Sequence, residues 1–291
     1  MRFDLADEAQ VRALLQRHGF SFSKALGQNF LIDPSVCPAM AQIAVRDGAD
    51  CALEIGPGAG VLTASLCEHA RRVAAVELDR RLFPVLREAL ADYGNFALVE
   101  GDAMRLDLAA LLREQFGEGA RVAVCANLPY YITSPLLMRL LESRLPVEKL
   151  VVMVQKEAAE RLAAEVGSRA AGAVTVAVRY YTEPRVCFAV PRTSFLPAPK
   201  VDSAVLELRV RKAPAVRLTD EAFFFRMVRA AFGQRRKTAV NALSAGLGLE
   251  KKAVAAAIAG LGLPEAVRAE ALPMETLAAL ADRLCAAQKT Q

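Results

Sequence analysis

The stretch CALEIGPGAGVLTASLCEH, residues 51–69, decides the fold of this chain. It begins as a short apolar run typical of a buried strand and ends with the apolar spacing of a helix. Between the two lie Gly56, Gly58 and Gly60, and glycine lets a backbone turn tightly and approach a ligand closely. A strand that passes through such a turn into a helix is typical of the ligand-binding edge of an α/β sheet.

The same alternation of strand and helix continues along the chain. The segments CALEIG, RVAAVEL, NFALVEG, RVAVCAN and KLVVMVQ are predicted strands, and they alternate with the predicted helices VLTASLCEH, RRLFPVLREALADY and MRLDLAALLREQF. This order predicts a doubly wound, mostly parallel sheet. Three later segments, AVTVAVRYY, PRVCFAV and SAVLELRV, are expected to extend the sheet as strands, and residues 1–50 to form a helical lead-in.

A change of composition near residue 211 predicts a second domain. The segment RVRKAPAVRL, residues 209–218, interrupts the strand pattern, and the later segments are helical in pattern. Residues 211–291 carry 13 Lys and Arg against 7 Asp and Glu, whereas the rest of the chain carries 24 against 25. We therefore expect an α/β domain over 1–210 and a smaller, all-helical, basic domain over 211–291. Such a charge excess favours a nucleic-acid partner, with a solvated basic tail as the alternative.

Composition argues against several classes of protein. The N-terminus, MRFDLADEAQ, is charged where a secretory signal would be apolar. The longest uncharged run, 122–138, is shorter than the ~20 residues of a membrane-spanning helix. The six cysteines form no CxxC pair and the chain has two histidines, so buried free thiols are expected rather than disulfides or a metal centre. These features predict a cytoplasmic protein without membrane or metal partners.

Two carboxylates follow later strands and indicate what the glycine turn binds. Glu77 ends the second strand, 21 residues after Gly56, where a carboxylate can accept both hydroxyls of a ribose. Asp102 follows the third strand and can accept a hydrogen bond from an adenine amino group. A dinucleotide fingerprint needs glycine or alanine where Val61 stands, which disfavours a nicotinamide dehydrogenase without excluding it. A bare structural turn is the other alternative.

The fourth strand leads into Asn127, Leu128, Pro129 and Tyr130. The exocyclic amine of a base is a poor nucleophile because its lone pair is delocalised into the ring. The side-chain carbonyl of Asn127 and the backbone carbonyl of Leu128 could accept its two hydrogens and direct the lone pair at an electrophile. Pro129 would stiffen the turn, and Tyr130 could stack on a base taken out of its helix. The alternative is an asparagine that caps the helix expected to start near Ser134.

Together these motifs resemble those of class I S-adenosylmethionine-dependent N6-adenine methyltransferases. More specifically, the chain is similar to the KsgA/RsmA family of small-subunit (16S) rRNA adenine N6,N6-dimethyltransferases. The similar blocks follow in order over nearly the full length: KALGQNFLID (24–33), LEIGPGAGVLT (53–63), VELD (76–79), EGDA (100–103), NLPYYITSP (127–135), MVQKEAAERL (153–162), SFLPAPKVDSAV (194–205) and AFGQRRKTAVNAL (231–243).

The resemblance implies a Rossmann-like class I fold, S-adenosylmethionine as cofactor, and transfer of two methyls to each of two adjacent adenosines near the 3′ end of small-subunit rRNA. It also implies residue roles. The implied cofactor-binding residues are Gln28, Asn29, Leu31, Gly56, Gly58, Gly60, Glu77, Asp102 and Asn127. The implied catalytic residues are Asn127, Leu128, Pro129, Tyr130 and Phe195, with Phe195 packing on the target base opposite Tyr130.

The helical domain is implied to dock on the small ribosomal subunit and its rRNA. An acid-free stretch, 222–249, carries the candidate phosphate contacts Arg226, Arg229, Arg235, Arg236 and Lys237. We expect a monomer. Two further alternatives stay open, namely a large-subunit rRNA adenine methyltransferase of the resistance type and a non-catalytic ribosome-assembly or transcription factor on the same fold.

Overall fold

The computed structural model describes residue 5 and residues 7–21, 29–129, 132–234 and 236–289. Three predicted site residues, Gln28, Tyr130 and Arg235, lie outside these ranges. The chain divides into two compact units. The first is Met1–Ala159 together with Arg185–Val210, and the second is Glu160–Pro184 together with Arg211–Gln291.

The first unit alternates strands with helices, as the sequence predicts. Its elements are α1 (Glu8–Arg17), β1 (Phe30–Leu31), α2 (Val36–Val45), β2 (Cys51–Ile55), α3 (Val61–His69), β3 (Arg72–Glu77), α4 (Phe83–Ala89), β4 (Phe96–Glu100), α5 (Leu108–Phe116), β5 (Val122–Asn127), α6 (Thr133–Glu142), β6 (Val147–Gln155), β8 (Phe195–Leu196) and β9 (Ser203–Val210). Two elements, α7 (Lys156–Ala163) and β7 (Thr182–Val190), cross from one unit into the other.

Seven of the described strands form one sheet in the order β4-β3-β2-β5-β6-β9-β7. The pairs among β4, β3, β2, β5 and β6 are parallel, and β9 is antiparallel to β6. The register sets Ile55 of β2 beside both Val76 of β3 and Ala126 of β5. The turns that follow these strands therefore emerge together at the carboxyl edge, where open α/β sheets bind ligands. The predicted α/β fold with a mostly parallel sheet is confirmed.

One predicted strand is wrong. The segment AVTVAVRYY forms helix α8 (Ala173–Tyr181) instead. Its β-branched residues favour a strand by propensity, yet tertiary contacts decide the outcome. The hydroxyls of Tyr180 and Tyr181 both donate to the carboxylate of Glu221, at 2.9 and 2.8 Å. Consecutive residues of a strand point to opposite faces, so a strand could not bring both hydroxyls to one carboxylate.

Where the structure describes it, the second unit has helices as its regular elements apart from the first residues of β7. It contains α8, α9 (Glu221–Gly233), α10 (Ala239–Leu247), α11 (Lys251–Ala259) and α12 (Met274–Lys289). The chain divides between Val210 and Arg211, where the sequence places a domain boundary, but residues 160–184 also belong to this unit. The rings of Tyr180 and Phe225 pack edge to face with centroids 5.3 Å apart, which attaches α8 to α9.

A buried ion pair joins β6 to β9 and to the end of α2. Lys149 is 2% exposed, and its Nζ lies 3.1 Å from Oε1 of Glu207, which is also buried. The same ammonium donates to the carbonyl oxygens of Ile43 at 3.2 Å and Arg46 at 2.8 Å. Arg46 and Arg185 pair with the second oxygen of Glu207. This network anchors three elements of the first unit at one place.

Across the described ranges, every helix is too short or too polar to cross a membrane.

Candidate active site

A cavity opens at the carboxyl edge of the parallel strands of the first unit. It brings together residues that are far apart in the sequence. The predicted site residues that line it are Asn29, Leu31, Gly56, Gly58, Glu77, Asp102, Asn127, Leu128, Pro129 and Phe195. Candidate residues at the ends of β2, β3, β4 and β5, and in the segments around Asn29 and Phe195, therefore face the same cavity.

The glycine turn forms one wall of this cavity. Gly56 has a φ of +73°, which favours glycine, and a Cβ built on it would meet nothing within 4 Å. Gly58 has a φ of +59°, and a Cβ there would lie 3.1 Å from the ring of Phe30. Gly60 does not line the cavity; it is the N-cap residue of α3, and a Cβ built on it would lie 3.2 Å from the side chain of Leu86. Gly56 thus leaves open backbone toward the cavity, whereas Gly58 and Gly60 permit close packing against Phe30 and Leu86.

Glu77 is buried at the end of β3. Its Oε1 accepts a hydrogen bond from the backbone N–H of Asp79 at 2.7 Å. Burial raises the pKa of the Glu77 carboxyl, while the N–H groups of Asp79 and Gly58 act in the opposite direction. The backbone carbonyl of Glu77 accepts a hydrogen bond from the N–H of Gly101, which joins this turn to the next one. Such a carboxylate can accept hydroxyl donors from a ligand in the cavity.

Asp102 lies in the loop that follows β4. Its Oδ1 accepts the N–H of Met104 at 2.8 Å, and its backbone carbonyl accepts the N–H groups of Arg105 and Leu106. The guanidinium of Arg105 is 3.6 Å from Oδ2, and that arginine is highly exposed. These bonds fix the loop tightly around the carboxylate. Asp102 keeps acceptor capacity toward the cavity because a carboxylate has about four lone-pair sites.

The turn after β5 is held from two sides. The Nδ2 of Asn127 donates to the backbone carbonyl of Asn29 at 3.2 Å, and the N–H of Leu128 donates to the carbonyl of Met153 at 3.1 Å. Because Nδ2 is engaged, the side-chain oxygen of Asn127 is the group that can accept a hydrogen from a ligand. Helix α6 has Ile132 as its N-cap, without a side-chain capping bond. The alternative in which Asn127 caps this helix is therefore wrong.

Phe195 lies in a small two-stranded sheet that covers part of the cavity. Strands β1 and β8 are antiparallel, with Leu31 paired to Phe195. The hydroxyl of Ser194 donates to Oδ2 of Asp33 at 2.8 Å, and the N–H of Ile32 donates to the carbonyl of Ser194. Phe195 is only 3% exposed, yet it lines the cavity. The segment that carries Asn29 and Leu31 is thereby attached to the candidate base-stacking residue.

Glu54 is a cavity residue that the sequence reasoning missed. It lies within β2 and is 1% exposed. Burial, together with the charge of Glu77, raises the pKa of the Glu54 carboxyl to about 8. Its Oε2 has no hydrogen-bond partner among the described residues. A glutamate inside an otherwise apolar strand, two residues before Gly56, was the available signal.

Further lining residues have side chains to which the sequence assigned no role in the site. They are apolar or weakly polar side chains, such as Cys37, Met40, Met104 and Met153. No spacing in the sequence relates α2 to β6, so only the folded structure brings them together. Within the described ranges, no group of three or more His, Cys, Asp or Glu side chains is arranged to hold a metal ion.

The basic residues predicted to bind RNA lie on the second unit. Arg226 and Arg229 are exposed on α9, and Arg236 and Lys237 are exposed just after it. The guanidinium of Arg226 lies 5.5 Å from the centroid of the Phe223 ring. Arg226 and Arg229 line a groove whose other described residues are Phe223, Ala230, Gly246, Leu247 and Gln288. The apolar side of α9 is buried through Phe223, Phe224, Met227 and Phe232.

Comparisons with known proteins find relatives over nearly the whole chain. A family model described as "Ribosomal RNA adenine dimethylase" matches residues 19–284. The chain is 43% identical over 288 residues to the Ribosomal RNA small subunit methyltransferase A of Geobacillus sp. (strain WCH70), covering 98% of this chain and 99% of that protein. It is 45% identical over 284 residues to the protein of the same name from Bacillus cereus (strain B4264), covering 97% of each.

Two solved structures share the fold over most of the chain. The 23S rRNA methyltransferase ErmE superposes with a TM-score of 0.65 at 28% identity, covering 88% of this chain and 99% of that one. A dimethyladenosine transferase from Plasmodium falciparum superposes with a TM-score of 0.67 at 25% identity, covering 86% and 95%. Similarity is therefore higher to the small-subunit enzymes than to ErmE, which is a large-subunit enzyme.

Proposed function

This chain belongs to the ribosomal RNA adenine dimethylase family, and we propose that it dimethylates the N6 atoms of two adjacent adenosines in the 3′-terminal hairpin of small-subunit (16S) rRNA. The observation that carries the proposal is the convergence of Glu77, Asp102 and the Asn127–Pro129 turn on one cavity. The relatives named for the small subunit are 43–45% identical to this chain, against 28% for the large-subunit enzyme ErmE.

The cavity suits S-adenosylmethionine as the methyl donor. This molecule carries positive charge on its sulfonium and ammonium groups, and a cation bound beside the unpartnered Oε2 of buried Glu54 would favour the ionised form of that carboxyl. The open backbone at Gly56 leaves space for a ligand group to approach. When bound, the cofactor supplies an electrophilic methyl group on its sulfonium sulfur.

Each strand end would hold a different part of the cofactor. Gly56 and Gly58 would lie against the methionine part, Glu77 would accept the ribose hydroxyls, and Asp102 would accept a hydrogen bond from the adenine amino group. Asn29 and Leu31 would cover the cofactor, attached through β1 to β8. Gln28 keeps its expected role beside them, although it lies outside the described residues.

The turn after β5 would activate the target amine. Asn127 Oδ1 and the carbonyl of Leu128 would each accept one hydrogen of the amine, which turns its lone pair out of conjugation with the ring. Pro129 restricts the turn, and Phe195 would stack on the base, a contact worth roughly 1–3 kcal/mol. Tyr130, outside the described residues, is proposed as the second stacking partner. Catalysis would then rest on proximity and orientation: the amine nitrogen would bond to the methyl carbon as the bond between that carbon and the sulfonium sulfur breaks. The amine proton, which is acidic once the N–C bond has formed, would pass to water.

The helical unit would provide the affinity for the ribosomal subunit. Arg226, Arg229, Arg236 and Lys237 are exposed cations that can contact phosphates, and Arg235 completes the proposed set. Folded RNA is recognised mainly by shape and backbone, which suits a cationic surface separate from the catalytic cavity. We propose that the protein acts as a monomer in the cytoplasm, where small subunits are available to it.

The decisive experiment is transfer of labelled methyl groups to purified small subunits that lack the modification. We expect label on two adjacent adenosines of the 3′-terminal hairpin with the wild type, and none with Asn127→Ala. Label on large-subunit rRNA instead would move the protein to the resistance-type activity. Binding of cofactor without transfer to either subunit would favour a non-catalytic assembly factor.

A further inference from the structure

Arg139 links two loops of the active site that are separate in the sequence. It lies on α6, the helix that follows the Asn127–Pro129 turn, but its guanidinium contacts the loop after β4. Its Nε donates to the carbonyl of Ala103 at 3.1 Å, and its Nη2 donates to the carbonyl of Leu106 at 2.7 Å. Hydrogen bonds from an ionised donor are stronger than those between neutral groups.

The loop that Arg139 holds is the one that carries Asp102. Bonds within the loop set its internal shape, since the backbone carbonyl of Asp102 accepts the N–H of Leu106 and its Oδ1 accepts the N–H of Met104. The N–H of Gly101 ties the start of the loop to Glu77. The two bonds from Arg139 attach the other side of the loop to α6. They join the loop to the helix that follows the turn after β5.

The hydrogen bonds of Arg139 also leave the carboxylate of Asp102 available for a ligand. The guanidinium donates its two hydrogen bonds to backbone carbonyls, so the carboxylate of Asp102 is not consumed in an ion pair with it. The side chain of Arg139 is only partly exposed. Its geometry is therefore that of a clamp on the loop backbone, in which a planar guanidinium bridges two carbonyls three residues apart.

We infer that Arg139 is a positioning residue, which holds Asp102 where it selects adenine in the cofactor. This inference rests on the proposed function, because it takes Asp102 as the acceptor for the adenine amino group. Hypoxanthine presents a carbonyl oxygen at that position, which a carboxylate repels. A correctly placed Asp102 therefore prefers adenine, and a displaced loop loses this preference.

The test compares S-adenosylhomocysteine with S-inosylhomocysteine, binding each to the full chain by calorimetry. We expect the wild type to prefer the adenine compound by about 30-fold and Arg139→Met by about threefold. Arg139→Lys should be intermediate, since it keeps the charge but not the bridging geometry. The control is Arg113→Met, an exposed arginine on α5, which should keep the wild-type preference. General destabilisation would weaken both compounds equally and leave the ratio unchanged.

A double-mutant cycle with Asp102→Ala completes the test. Asp102→Ala should abolish the preference, and adding Arg139→Met should change it no further, because both substitutions remove the same effect. If Asp102→Ala loses the preference and Arg139→Met keeps it, the inference is wrong and the proposed function stands. If Asp102→Ala keeps the preference, the adenine assignment fails and the inference with it. If the wild type binds neither compound, the proposed function itself is overturned along with the inference.

Discussion

The side-chain amide of Asn127 donates to the backbone carbonyl of Asn29 across 98 residues of sequence, at 3.2 Å. This bond joins the turn that would bind the target amine to the segment that would cover the cofactor. It also orients the amide, because the nitrogen that donates to Asn29 cannot face the target. The cofactor and the target amine of the proposed reaction would thus meet at Asn127. Its hydrogen bond to Asn29, in the lead-in segment, orients its side-chain oxygen.

We expect Asn127→Ala to reduce methyl transfer by about 100-fold or more, because it removes both the acceptor for the target amine and the bond to Asn29. Asn127→Asp should also be strongly impaired, since a carboxylate would face the Asn29 carbonyl without a donor. Single-turnover transfer to unmodified small subunits measures both. Equal thermal stability of the variants provides the control, and near wild-type turnover by Asn127→Ala would contradict the assignment.

Glu54 should make the stability of the cofactor-free protein fall as the pH rises. Its pKa is about 8 in the folded protein and about 4.5 when unfolded. Between these values the unfolded chain has lost the proton while the folded one keeps it, so unfolding becomes easier by about 1.4 kcal/mol per pH unit. The stability that Glu54 contributes is fully present below its pKa in the unfolded chain, about 4.5. It is lost as the pH rises through its pKa in the folded protein, about 8.

The measurement is the thermal unfolding of wild type and Glu54→Gln between pH 5 and pH 8. Glutamine cannot titrate, so the variant should gain stability relative to the wild type as the pH rises. The matched control is Glu118→Gln at an exposed position, whose difference from the wild type should stay constant. Parallel curves for wild type and Glu54→Gln would show that the carboxyl titrates normally.

The sequence predicted the parallel sheet, and the meeting of Glu77, Asp102 and Asn127 at one edge of it, because both depend on local patterns. Short apolar runs, glycine turns and polar strand ends can be recognised from neighbouring residues in the sequence. Parallel pairing of the strands then brings their carboxyl ends together.

Long-range contacts leave no such pattern. Arg139 donates to a loop more than 30 residues away, and Tyr180 and Tyr181 of α8 share Glu221 about 40 residues later. Glu54 was overlooked because a strand assignment does not say how deeply one side chain is buried.

We expect Lys149→Met to destabilise the first unit by about 3–5 kcal/mol. The substitution leaves Glu207 buried with fewer cations and removes a donor from the carbonyls of Ile43 and Arg46. Removing both charges with Lys149→Met and Glu207→Leu should recover part of the loss, because no buried carboxylate remains.

Urea unfolding at neutral pH measures this effect. The control is Arg71→Ala, which breaks the exposed ion pair with Asp50 and should leave the unfolding midpoint unchanged. If the double variant were no more stable than Lys149→Met, the cost would lie in packing rather than in the unpaired charge.

Arg226 and Arg229 should contribute to affinity for the small subunit in a salt-dependent way. Both lie exposed beside one groove on α9 and carry positive charge with which they can contact phosphates. A cation that displaces one counterion changes the slope of log K against log salt concentration by about one. We therefore expect Arg226→Ala and Arg229→Ala each to weaken binding and to reduce that slope by about one, without altering affinity for S-adenosylhomocysteine. Arg113→Ala, an exposed arginine of the first unit, is the control. Filter binding to unmodified subunits over a range of salt concentrations gives the slopes, and an unchanged slope in both variants would place the RNA contacts elsewhere.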